Sequence, residues 1–172
     1  GSPRRIAEGK TVCPEADFEP IRGNVDTRLQ KLRNGQYDAI LLAKAGLERL
    51  TAEDGRPLLE HVLAEFDCRE FTPEQFLPAP CQGILAVECR AEDTELRALL
   101  AQIPDPPTRK RFDAERALFS RLEADCSVAL GVYCRLFGDE YELSALYHET
   151  KTTKRGTDLS ALCDAIVQEL IP

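Results

Sequence analysis

Cys126 lies in the stretch LEADCSVALG, residues 122–131, where an acidic helix end runs into a cysteine and then into a short apolar run with a glycine. Four roles are open to such a thiol: small core residue, nucleophile, metal ligand, or attachment point for a group. The thiolate is the reactive form in every role but the first. The other cysteines do not help it bind a metal. The seven stand at positions 13, 68, 81, 89, 126, 134 and 163, with no Cys-x-x-Cys, and His61 and His148 are the only histidines. No metal site is expected from that pattern. An odd number at irregular spacing reads as reduced thiols, most of them buried as small hydrophobes.

A second set of candidates is basic. Arg4 and Arg5 form a pair, Arg22 precedes Gly23 at a helix start, Arg28 falls in the first turns of that helix, and Arg49 ends the next helical segment. In an α/β sheet, loops and helix N-termini at the carboxyl ends of strands converge on one crevice, and helix N-termini favour anions. Arginine adds a permanent charge and a fork that matches a carboxylate. A pocket for a polycarboxylate is one reading, and solvated arginines with local acidic partners is the other. The chain as a whole carries 30 acidic against 22 basic residues, a net charge of −8. Such a surface is repelled by nucleic acid and by anionic membranes, so neither is expected as a partner. The sequence shows no Ser-His-Asp or Cys-His constellation, no glycine-rich phosphate loop and no carboxylate pair at a diagnostic spacing.

The elements that must position these residues follow from local pattern. Ser2 and Pro3 read as an N-cap and first helical position. Asn24 or Asp26 caps a helix with Val25, Leu29 and Leu32 on its apolar face, which Asn34-Gly35 ends. YDAILLA (37–43) and GILAVECR (83–90) read as buried strands, KAGLERL as a helical turn, and PLLEHVLAEF and DTELRALLAQI as helices. TPEQFLPAP is a loop, and PDPP (104–107) is the strongest linker signal. Beyond it lie an amphipathic helix with Phe112, Leu118, Phe119 and Leu122 inward, a hairpin around GDE, and a closing helix over LSALCDAIVQELI. With 172 residues, one large domain or two small ones is expected, and the tail is a small α+β unit of roughly 65 residues.

Four segments together resemble the hydroxymethylbilane synthases, also called porphobilinogen deaminases. GSPRR is similar to the family's GTSSLRR loop. IRGNVDTRLQKLRNGQYDAILLAKAGLERL (21–50) follows the family pattern throughout. LPAPCQGILAVECR (77–90) resembles LPAxGQGxLxIExR, and DAERALFSRLEADCSVALG (113–131) resembles xxERxxLxxLEGGCxxPxG. In this family the cysteine of the last motif carries a dipyrromethane cofactor through a thioether, which by position is Cys126. The resemblance then implies cofactor contacts at Ser2, Arg4, Arg5, Arg22 and Gly23, and substrate contacts at Arg28, Arg49 and Gln82. It implies stepwise condensation of four porphobilinogen molecules with loss of ammonia, in tetrapyrrole biosynthesis.

The implied fold is a periplasmic-binding-protein-like α/β domain, present in part over residues 1–76. Residues 77–103 cross back into the family's first domain, and 104–172 form an α+β domain bearing the cofactor cysteine. The family's catalytic aspartate sits in a KD motif with no counterpart here, so no catalytic residue is assigned. The crossing segment is expected to lack most of its sheet and to expose apolar surface. A cytoplasmic monomer is expected, completed by the family's N-terminal domain. The rival expectation is an incomplete homologue that holds a polycarboxylate or tetrapyrrole without turnover. Two departures stand out: Asp125 replaces the glycine before Cys126, and Cys81 replaces the first glycine of GQG.

Overall fold

The computed structural model describes residues 2–122 and 128–171, a mixture of helices and one small antiparallel sheet. Helix α1 spans Pro3–Val12. It begins where expected: Ser2 Oγ accepts from the Arg5 amide at 3.4 Å, and Pro3 occupies the first turn. Helix α2, Val25–Arg33, is capped by Asn24, whose Oδ1 accepts from the Thr27 amide at 2.9 Å and its hydroxyl at 2.7 Å. Asp26 lies inside the helix. Asn34 ends it, and Gly35 takes the left-handed conformation that follows. Helices α3 (Lys44–Glu48) and α4 (Leu58–Glu65) close a small core in which Leu29, Leu47, Leu58 and Val62 are buried.

Residues 37–43, expected as a buried strand, form no ladder. Their one backbone hydrogen bond among the described residues is the Ala43 carbonyl accepting from the Gly46 amide as α3 begins, and Ile40, Leu41 and Leu42 are only half-buried. The apolar run carries the side chains of a central strand, but a strand exists only with a neighbour to take its amides. The same correction applies to residues 83–90, where Leu85 is 77% and Val87 64% exposed. Helix α5 (Thr94–Leu100) buries none of its residues, and Leu99 and Ile103 face solvent. Residues 85–103 therefore expose apolar surface at Leu85, Val87, Leu99 and Ile103.

Half of the presumed PDPP linker is helix. Helix α6 spans Pro106–Arg121, with Asp105 accepting from the Thr108 amide at 2.9 Å as its cap. Leu118 and Leu122 turn inward, with Ala114. Phe112 and Phe119 are half-buried beneath the guanidiniums of Arg109 and Arg116. Strands β1 (Leu130–Phe137) and β2 (Glu140–Tyr147) form the expected hairpin, closed by Gly138 in the left-handed region. A third strand, β3 (Thr150–Gly156), was not anticipated. Its sequence TKTTKRG is polar, and Thr152 is its buried residue, as suits an edge strand. Helix α7 (Leu159–Leu170) follows, capped by Asp158.

Helices α6 and α7 cover one face of the sheet, around Leu118, Val132, Leu143, Ala145 and Ile166. Alternation along the strands turns Gly131, Arg135 and Lys151 to the other face. There α1 and residues 74–78 meet the sheet. The Val132 amide donates to the Pro78 carbonyl at 3.1 Å, Lys151 Nζ to the Glu74 carbonyl at 2.9 Å, and Arg135 pairs with the Glu74 carboxylate at 3.2 Å. A Cβ on Gly131 would stand 2.9 Å from Leu77 Cβ, so only glycine lets the strand approach this closely.

Candidate binding site

The N-terminal elements enclose a cavity of about 670 Å³. Arg4 and Arg5 border it from α1, residues 39–43 form one wall, and Phe66, Phe71 and Phe76 supply aromatic surface. Gln82 stands on its border from the turn after Pro80. Capping α1 at Ser2 aims both arginines. Arg4 is 7% exposed, donates to the Leu77 carbonyl, and lies 5.9 Å from the Phe76 ring centroid. Arg5 donates one N–H to the Leu41 carbonyl at 2.9 Å, which among the described residues leaves the rest of its fork free for an anion.

The charges on this edge are not balanced. Burial, then the neighbouring Arg5, lowers the pKa of Arg4, with Glu8 pulling it back. Burial, then Arg28, lowers that of Arg5. Among the described residues neither Arg5 nor Arg28 has a carboxylate within salt-bridge reach. A partly dry guanidinium that feels a second positive charge is stabilised when an anion joins it. Asp38, Asp67 and Glu70 also border the cavity. Glu70 is taken by Lys44 at 2.8 Å, and the charge that acts on Arg5 is Arg28.

The structure gathers only part of the expected set. Arg4, Arg5 and Gln82 border the cavity; Ser2 caps α1 without lining it, and Arg28 is near enough for its charge to act on Arg5. Arg22 is exposed, with its carbonyl accepting from Lys31 Nζ at 3.1 Å, and Arg49 is exposed at the end of α3; neither borders the cavity. Gly23 acts through the backbone. Its φ is +116°, a Cβ would meet Thr27 Cγ2 at 2.6 Å, and its carbonyl accepts from Arg28 Nε at 2.8 Å. Cys126 lies outside the described residues.

Two buried carboxylates escaped the sequence reading. Glu115 is 4% exposed and Glu8 1%. Glu115 is the one charge on the inward stripe of α6, beside Ala114 and Leu118, which is the signal that would have found it. Glu8 faces Lys151 at 3.6 Å, but its Oε1 has no partner among the described residues. Burial raises its pKa, opposed by Lys151, the Leu77 backbone and Arg4. The folded chain thus holds this proton more readily than the unfolded chain. That favours folding at pH below the ordinary carboxylate range and is lost as pH rises through the elevated value. Glu8→Gln is expected to stabilise the chain at neutral pH by about 1 kcal/mol, with the gain vanishing under acid. Urea titrations of both proteins between pH 4 and 8, as a rough span about the carboxylate range, check it.

The thiols separate by environment. Burial pushes Cys134 up to about 12 and also raises Cys163, while Cys13 and Cys68 are exposed. Brief alkylation of the folded chain is expected to mark Cys13 and Cys68 and to spare Cys134 and Cys163 until denaturant is added. Peptide mapping reads the pattern.

A largely apolar, aromatic-walled cavity with guanidiniums on one edge has the chemistry to accept a carboxylate-bearing organic ligand. Comparison with known proteins gives its relationships. A family model described as porphobilinogen deaminase, dipyromethane cofactor binding domain, matches residues 1–98. The porphobilinogen deaminase of Mycolicibacterium gilvum is 48% identical over 130 residues, 76% of this chain and 38% of that protein. That of Mycobacterium ulcerans is 42% identical over 148 residues, 86% of this chain and 44% of that protein. The Streptococcus sanguinis protein is 37% identical over 172 residues, 97% of this chain and 54% of that protein. The chain belongs to the porphobilinogen deaminase family, and it spans about half the length of the curated relatives it matches.

Proposed function

We propose that this chain serves hydroxymethylbilane synthesis as the part of the enzyme that holds the dipyrromethane primer and receives porphobilinogen. The observation that carries the reading is Arg5, partly buried at the edge of a largely apolar cavity and under the charge of Arg28, with no carboxylate within salt-bridge reach among the described residues. These residues fit the group. Pyrroles bearing acetate and propionate need cations for their rims and apolar walls for their rings, and both are present. When bound, the dipyrromethane supplies the end on which four porphobilinogen units are condensed with loss of ammonia. Arg5 would take a carboxylate through its free N–H groups, with Arg4 and Arg28 lending charge. Arg22 and Arg49 would engage side chains of a longer ligand from the surface, and Gln82 would border the entering unit. Residues 39–43 and the phenylalanines would exclude water from the rings.

The architecture goes with this reading. Residues 1–76 would be part of a periplasmic-binding-protein-like domain, 77–103 a crossover, and 104–172 the domain that offers Cys126 for the thioether. The protein would work as a cytoplasmic monomer; among the described residues no helix is long and apolar enough to cross a membrane. The test is the intact mass of freshly purified chain, with peptide mapping of Cys126. A covalent increment of two pyrrole units on Cys126 is the expected result. An unmodified Cys126, in a chain that also fails to bind porphobilinogen, sinks the proposal. An unmodified Cys126 with salt-sensitive binding would leave a carrier of the ligand that performs no turnover.

A further inference from the structure

Glu115 joins three segments that are far apart in sequence. From α6, its Oε2 accepts from the Cys81 amide at 2.6 Å and its Oε1 from the Cys134 amide on β1 at 3.0 Å. Both acceptor atoms of one nearly inaccessible carboxylate are thus spent on backbone. The Cys81 end is the unusual one. Cys81 has a φ of +60°, a conformation that costs a side-chain-bearing residue free energy and that glycine adopts freely. Around it the Gln82 amide donates to the Ala79 carbonyl at 3.0 Å, Ala79 donates to Gln82 Oε1 at 3.4 Å, and Ile84 donates to the Cys81 carbonyl at 3.1 Å. This turn carries Gln82 to the cavity border. On its other side, α6 runs to Arg121, just ahead of the segment holding Cys126.

We infer that Glu115 is a positioning residue: its carboxylate fixes the left-handed turn at Cys81, and through that turn it sets Gln82 at the ligand cavity and ties it to the helix leading to Cys126. A charge-assisted hydrogen bond is directional and short, so it selects one backbone conformation over its neighbours. Glutamine at 115 keeps the shape but turns an N–H₂ toward one of two backbone donors, so one bond must be lost. The consequence for ligand rests on the carboxylate-binding reading of the cavity. The consequence for the turn does not.

The experiment uses the full chain with Glu115→Gln, Gln82→Ala, their combination, and Glu115→Gln joined to Cys81→Gly. Porphobilinogen affinity is measured by calorimetry, and exchange of the Cys81 and Cys134 amides by NMR. Loss of one charged hydrogen bond is expected to weaken porphobilinogen binding roughly ten- to hundred-fold in Glu115→Gln. Because Glu115 acts through Gln82, the combined variant should bind no worse than the weaker single one. Cys81→Gly, which needs no clamp to hold the turn, should recover most of the loss. Additive losses, or no recovery by glycine, overturn the assignment. Should wild type not bind porphobilinogen, the carboxylate-binding reading falls and exchange decides. Cys81 exchange about ten-fold faster in Glu115→Gln, with the unfolding midpoint in urea little changed, upholds the clamp; unchanged exchange ends it. Should Glu115→Gln not fold, the variant carrying Cys81→Gly takes its place, and failure of that one too assigns Glu115 to core stability alone.

Discussion

Arg5→Ala is expected to weaken porphobilinogen binding by about 1.5–3 kcal/mol, roughly ten- to 150-fold. The reason is specific to this position. Arg5 keeps most of its fork unused and feels Arg28 without a compensating carboxylate among the described residues, so an incoming carboxylate meets donors already desolvated. Arg5→Lys should recover only part of the loss, because an ammonium offers a point charge and no bidentate face. Binding should also weaken as salt is raised, more steeply for wild type than for Arg5→Ala. Arg49→Ala, at an exposed position away from the cavity, is expected to change binding of a single porphobilinogen by less than about 1 kcal/mol. Calorimetry at two ionic strengths checks all three variants. Equal losses for Arg5→Ala and Arg49→Ala would show that overall charge is responsible.

Leu143→Ala is expected to cost about 2–5 kcal/mol and to bring the C-terminal sheet near the edge of unfolding. Leu143 is inaccessible at the centre of β2, between α6 and α7, in the larger of the two apolar clusters. That cluster is small, and a unit of its size has little stability to spare. Its neighbours cannot collapse into the space without disturbing the β1–β2 register that sets Cys134 opposite Leu143. The reading is amide exchange along β1 and β2, with urea unfolding followed by circular dichroism. Leu63→Ala, at a leucine 57% exposed, serves as the control and should cost well under 1 kcal/mol.

What the sequence disclosed was local. The Ser2 and Asn24 caps lie next to the amides they accept from, so the starts of α1 and α2 are legible from a few adjacent residues, and α5, α6 and α7 show in the apolar spacing of their own sequence. The β1–β2 hairpin is legible for the same reason, since its turn is two residues long. Residues 37–43 and 83–90 misled because strand formation is decided by a neighbour elsewhere in space, which side-chain pattern does not disclose. Strand β3 was hidden by its polarity. In the site, Arg4 and Arg5 stood out through their motif. The roles of Glu8 and Glu115 did not, since a carboxylate's burial depends on what packs over it, and the chain has 30 acidic residues to choose among.

The exposed leucines and valine of residues 85–103 have a colloidal consequence. At −8 the chains repel one another at long range, but salt shortens that repulsion to within molecular contact. What then meets is Leu85, Val87, Leu99 and Ile103. Solubility of this polypeptide is therefore expected to fall as ionic strength rises, opposite to the salting-in of an evenly polar surface, with dilute, low-salt buffer the condition that keeps it dispersed.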